Sequence, residues 1–168
     1  MSQDPNSPRV DVRAPEDAHF AIVWSRFNHA VVRKLLDGAI ACFAERGTDP
    51  DSLYIVEVPG AWELPYAAQR LAASGRFAAI VALGAVIRGG TPHFDYVCEG
   101  TALGLGRVAL DTGVPVVFGV LTTDDERQAF DRAGGAHGNK GRDAALTAIE
   151  MALFDRKLTD DGITTKRP

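Results

Sequence analysis

The sequence predicts an α/β protein: a flavodoxin-like three-layer α/β/α sandwich around a four-stranded, mainly parallel sheet. Three observations carry this. Short apolar runs rich in small and β-branched residues recur at 19–24, 53–58, 78–83 and 115–121, too short for buried helices. Each run is followed by a segment with apolar residues at helical spacing. Strand and helix therefore alternate four times, and right-handed crossovers put helices on both faces of the sheet. A length of 168 residues suits one domain with a real core.

Residues 1–17 hold Pro5, Pro8 and Pro15 among polar and charged residues and read as a flexible arm, or one ordered only against a neighbour. The domain proper spans 18–157. Its first strand ends in a loop, Ser25, Arg26, Phe27 and Asn28. From His29 onward Val32, Leu35, Leu36, Ala39, Ile40 and Phe43 keep helical spacing until Gly47 closes the helix. Residues 49–52 turn the chain into the second strand, and the word PGAWELP (59–65) leads into a helix reaching Gly75. After the third strand, a helix over 94–112 ends at Gly113. The fourth strand precedes a polar turn (122–125), a short charged helix (125–132) and a glycine-rich segment (133–141). A last helix over 142–157 buries Ala145, Ile149, Ala152 and Leu153, and 158–168 forms a polar C-terminal tail.

Composition narrows the function classes. The chain is 46% hydrophobic and 24% charged, as in ordinary globular domains rather than disordered or coiled-coil chains. A formal charge of −4, with no basic run longer than Lys166-Arg167, argues against nucleic acid as a partner. The two cysteines, Cys42 and Cys98, lie in apolar segments and read as buried free thiols of a reducing compartment. No signal core and no apolar run of membrane-spanning length is visible, so the expectation is a cytoplasmic protein with no membrane partner. Metal-ligand clusters and nucleotide-binding glycine loops are absent, and no metal is expected.

Chemistry concentrates between residues 78 and 101. Behind the third strand stand Arg88, Gly89, Gly90, Thr91, Pro92 and His93. Gly-Gly lets backbone N–H groups converge on an anion, Thr91 adds a hydroxyl, and the following helix start favours negative charge. His93 is the side chain best suited to move protons near neutral pH. Taken singly, the glycines read as a turn and the histidine as a solvated one. Their joint position at a strand's C-terminal end, where open α/β sheets bind ligands, favours a site. Glu63 admits two readings, a helix-dipole partner or an acceptor for a polyhydroxyl ligand. With the aromatic Phe27, the set suits a flat heterocycle, a polyol and a phosphate, with Arg132 and Lys140 available to complete the phosphate site.

The words RFN (26–28), VPGAWELP (58–65), LGAVIRGGTPHFDYV (83–97), PVVFGVLTT (115–123) and RAGGAHGNKG (132–141) together resemble the 6,7-dimethyl-8-ribityllumazine synthase family, in family order. The resemblance implies a transferase of riboflavin biosynthesis that acts without a cofactor. It would join 5-amino-6-(D-ribitylamino)uracil to 3,4-dihydroxy-2-butanone 4-phosphate, releasing phosphate and water. It further implies that Phe27 and Asn28 meet the pyrimidine end and that Ala61, Trp62 and Glu63 hold the ribityl chain. Ala85, Val86 and Ile87 would meet the ring edge, together with Phe118 from an adjacent subunit. Gly90, Thr91 and the neighbour's Arg132 would bind phosphate, Lys140 would line the shared site, Asp143 would pair with Arg132, and His93 would transfer protons. Departures from the commoner pattern are Trp62, where Phe is frequent, and Pro92 before the histidine; proline is compatible with a first helical turn.

The resemblance also implies a homopentamer with sites at subunit boundaries, an icosahedral capsid of such pentamers as a further state, and riboflavin synthase as an associating protein. The compact 134–140 loop favours the capsid, whereas prolines in the arm limit its pairing as a strand. Three rival readings stand beside this one: a flavin-type storage module, a riboflavin synthase on the same fold, and a purely structural shell protein. His93 beside the phosphate cradle counts against the first, the Gly90-Thr91 cradle with Arg132 against the second, and the intact set of substrate-site residues against the third.

Overall fold

The computed structural model describes residues 11–163. Strands β1 (Phe20–Ser25), β2 (Tyr54–Val58), β3 (Ala79–Ile87) and β4 (Val116–Thr123) form one sheet in the order β2-β1-β3-β4. Every neighbouring pair is parallel. Helices α1 (His29–Glu45) and α5 (Lys140–Asp160) cover one face, and α2 (Leu64–Ala73) and α3 (His93–Thr112) the other. The predicted α/β/α sandwich is therefore the observed one. Alternation in the strands divides the core: Phe20, Ile22 and Trp24 pack toward α1 and α5, while Ala21 and Val23 pack toward α2 and α3.

Packing between layers is closest where glycine removes a side chain. A Cβ on Gly141 would overlap the backbone of Leu35, so the first turn of α5 lies directly on α1. Arg142 then donates to both carboxylate oxygens of Glu45, with Nη1 3.0 Å from Oε1, and ties the same two helices at their ends.

Several boundaries differ from the sequence reading. Strand β3 continues past Leu83 to Ile87, because Gly84, Ala85, Val86 and Ile87 stay in register with Val120, Leu121, Thr122 and Thr123 of β4. Gly84 does not break the strand; a Cβ there would lie 3.1 Å from Ser25 Oγ and 3.2 Å from Leu64, so glycine permits the close packing. The glycine-rich segment is a small hairpin, β5 (Ala133–Gly135) with β6 (Gly138–Asn139), following α4 (Glu126–Asp131). Helix α5 starts at Lys140, where Asn139 Oδ1 accepts from the N–H groups of Gly141 and Arg142, and runs to Asp160.

The described part of the N-terminal arm lies on its own chain. Val12, Ala14 and Ala18 pack against the α1/α5 core, Ala14 N–H donates to Arg46 O at 2.9 Å, and Asp17 pairs with Arg156. The expectations attached to Pro5, Pro8 and the end of the tail lie outside the described residues. Cys42 is fully buried and Cys98 half-buried, both as free thiols. Burial pushes both thiols above their ordinary pKa.

Candidate active site

Strand order β2-β1-β3-β4 places a switch point between β1 and β3, where successive crossovers leave in opposite directions. Open α/β sheets bind ligands beyond the strand ends at such a point. Here it opens into a cleft of about 690 Å³ whose walls come from the loops after β1, β2 and β3.

The loop after β1 is fastened by backbone bonds: Arg26 N–H to Val58 O at 2.8 Å and Phe27 N–H to Pro59 O at 3.0 Å. That leaves the Phe27 ring 71% exposed at the cleft. Asn28 sits in the left-handed region (φ 58°, ψ 42°), the only non-glycine residue with positive φ among the described residues. Its side chain makes no capping bond to α1; instead its Nδ2 donates to Ala85 O at 2.8 Å and joins the ends of β1 and β3. A left-handed conformation held by such a bond is strain kept at a site wall.

After β2, Ala61–Glu63 form one turn of 3₁₀ helix. Trp62 lies on Gly100 of α3, where any Cβ would collide with the indole. Glu63 precedes α2 but makes no capping bond to it. A Cβ on Gly60 would sit 3.2 Å from Glu63 Oε2, so the carboxylate folds back over Gly60 on the cleft wall.

Ala85, Val86 and Ile87 form the floor at the end of β3. Gly89, Thr91 and His93 line the far wall, with Gly90 in the loop between the first two. Neither Gly89 nor Gly90 has positive φ, and a Cβ on either would meet nothing within 4 Å. The chain's own packing thus does not require glycine there, whereas close approach of a ligand to the backbone would. Pro92 precedes α3 without a side-chain cap and its carbonyl takes the N–H of Asp95 at 3.0 Å, so the amides of His93 and Phe94 are the first-turn donors that face an anion.

Sequence reasoning had not assigned Gly60, Phe94, Tyr96 and Val97 to this cleft. Tyr96 was within reach of it, being three residues beyond His93 on the same helical face. Arg88, grouped with the chemistry-bearing residues by sequence, turns away. Its Nε donates to Asp124 Oδ1 at 3.0 Å and its Nη1 to Asp95 Oδ1 at 3.2 Å. Its guanidinium lies 4.1 Å from the centroid of the Phe94 ring. The bond to Asp124, then that to Asp95, holds Arg88 above the usual arginine pKa.

Phe118, Arg132 and Lys140 are not in this cleft. They line a second one of about 780 Å³ between the exposed edge strand β4 and helix α5. Phe118 is 44% exposed there, Arg132 Nη1 donates to Gln128 O at 3.1 Å, and Lys140 N–H donates to Arg132 O at 2.8 Å. Asp143 pairs with Lys140 at 2.8 Å and not with Arg132 as expected: three residues apart on the first turn of α5, the two side chains are direct neighbours.

A family model described as 6,7-dimethyl-8-ribityllumazine synthase matches residues 17–156. The chain is also similar to a 6,7-dimethyl-8-ribityllumazine synthase of Chlorobium luteolum. The two are 50% identical over 143 residues, covering 85% of this chain and 92% of that protein.

Proposed function

We infer how the site works from one premise: the chain belongs to the 6,7-dimethyl-8-ribityllumazine synthase family. It is a transferase of riboflavin biosynthesis, condensing 5-amino-6-(D-ribitylamino)uracil with 3,4-dihydroxy-2-butanone 4-phosphate to give 6,7-dimethyl-8-ribityllumazine. In the cleft at the switch point, Phe27 stacks on the pyrimidine and Asn28 orients that end of the site. Ala61, Trp62 and Glu63 hold the ribityl chain, and Ala85, Val86 and Ile87 meet the ring edge. Gly90 and Thr91, with the amides opening α3, take the phosphate. His93 accepts a proton as the amine adds to the ketone carbonyl and returns one to the carbinol oxygen that leaves as water. Phosphate departs with its negative charge balanced by Arg132 and the amides. Holding two substrates side by side supplies much of the rate.

The observation that carries this reading is the meeting, in one cleft, of an exposed aromatic ring, a carboxylate that caps nothing, and an uncapped helix start behind a glycine pair. Phe118, Arg132 and Lys140 occupy a different face, so the site is completed by a neighbouring chain. A homopentamer with shared sites is the assembly we propose, with closure of pentamers into an icosahedral capsid as its further state and riboflavin synthase as an associating protein. Two surfaces support association. Phe118 stands on an unpaired sheet edge, and Tyr96, Leu103 and Leu110 project from α3 at seven-residue spacing, 70%, 66% and 87% exposed. Among the described residues no helix is long and apolar enough to cross a membrane. The cytoplasm is the compartment we propose.

Turnover of both substrates combined with light scattering at several dilutions tests this reading. A five-chain mass means a free pentamer and a sixty-chain mass a capsid; a stable, active monomer would sink the shared site. Arg132→Ala is expected to weaken the butanone phosphate far more than the ribitylaminouracil, by about 1.5–3 kcal/mol for a lost charge-assisted bond. Equal weakening of both substrates would make Arg132 structural.

A further inference from the structure

The phosphate cradle has a cation at its threshold that is held by two carboxylates. Arg88 immediately precedes Gly89, and its guanidinium makes three contacts behind the loop. Nε goes to Asp124, Nη1 to Asp95, and the guanidinium plane covers the buried ring of Phe94. Its backbone N–H continues the β3–β4 ladder by donating to Thr123 O at 2.9 Å. The residue before the loop is thus joined to the first turn of the helix after it and to the end of β4. Only Gly89, Gly90, Thr91, Pro92 and His93 lie between the joined points.

We infer that Arg88 is a positioning residue: a clamp that closes the base of the 89–92 loop and presents its amides, Thr91 and His93 to the phosphate, without itself binding it. This deepens the phosphate-cradle reading above and rests on it. Two glycines in succession, with open space around both, would otherwise leave the loop little reason to keep one shape. A planar guanidinium can bridge two carboxylates and stack on a ring at once; an ammonium cannot. Single exposed ion pairs contribute little, but three contacts made by one rigid group form a network.

Clamp and ligand make opposite forecasts for Asp124. If electrostatics alone mattered, removing a carboxylate near an anion site would tighten phosphate. If Arg88 is a clamp, the loss loosens it. Asp124 and Asp95 have 70% and 62% exposed side chains, so Asp124→Asn leaves the core untouched.

The experiment measures kcat, KM for each substrate and competitive inhibition by inorganic phosphate in Arg88→Lys, Asp124→Asn, their combination and Thr91→Ala, with circular dichroism as the check on folding. Arg88→Lys and Asp124→Asn are each expected to raise KM for the butanone phosphate, and the phosphate inhibition constant, about three- to tenfold. KM for ribitylaminouracil should stay within about a factor of two, and the combination should be no worse than the worse single variant. Tighter phosphate inhibition in Asp124→Asn, or wild-type constants in Arg88→Lys, overturns the clamp. If Thr91→Ala weakens phosphate while Asp124→Asn does not, only the role of Arg88 falls. If Thr91→Ala also changes nothing, the cradle reading falls and the clamp with it.

Discussion

A mixture of two crippled chains should be active. His93 lines the cleft at the end of β3, and Arg132 lines the cleft between β4 and α5, with no lining residue in common between the two. If one chain's first cleft faces the next chain's second cleft around a ring, His93→Ala spoils a site in one subunit and Arg132→Ala spoils one in the other. In a random one-to-one mixture, about a quarter of the boundaries bring an intact first cleft against an intact second cleft. Mixed rings should therefore recover about a quarter of wild-type turnover on top of the parents' residual activity, and so exceed both parents. A second mixture, of wild type with the doubly substituted chain, separates the alternatives further. Shared sites again leave about a quarter of full activity, whereas sites contained within one chain leave about half. The assay is lumazine formation by rings isolated through two different affinity tags after co-expression. Cross-mixed rings no more active than the mean of their parents would refute the shared site.

Three further outcomes are expected. His93→Ala lowers turnover toward the low end of about 10- to 10⁴-fold with substrate binding mostly kept, and unchanged turnover across the pH range would remove His93 from the mechanism. Gly141→Ala places a Cβ into the backbone of Leu35 and should cost about 1–3 kcal/mol in urea unfolding by prising α1 from α5; an unchanged midpoint would contradict that contact. The hydrogen bonds from Arg142 hold Glu45 below the usual carboxylate range. A depressed folded pKa means that this contribution is present above the unfolded value, about 4.3, and fades as pH falls through the folded one. The stability gap between wild type and Arg142→Gln should thus be constant near neutrality and shrink below about pH 4.3. A gap that ignores pH in chemical denaturation would rule the linkage out.

Much of the lining of the candidate cleft was legible in the sequence, because its residues are local. Phe27, Glu63, Thr91 and His93 each follow a strand within a few positions, and parallel strands joined by right-handed crossovers must deliver their C-terminal ends to one edge. The strand–helix alternation that implied the sandwich is likewise a property of nearby residues. What periodicity did not reveal depended on partners distant in the chain. Gly84 reads as a strand end until Ser25 and Leu64 are seen against it, and β3 and β4 lengthen only because each supplies the other's ladder. Arg88 stands with the chemistry-bearing residues until Asp124, thirty-six positions away, takes its Nε. Asp143 had two cations within reach in sequence, and the first turn of α5 chose Lys140. That His93 and Arg132 lie in separate clefts of one chain was implied by resemblance alone and is seen in the tertiary structure, since the sheet order decides which edge stays open and which loops meet. Spacing along the chain encodes local conformation, but contact between remote segments is settled by register and packing, where a single side chain decides which neighbours can approach.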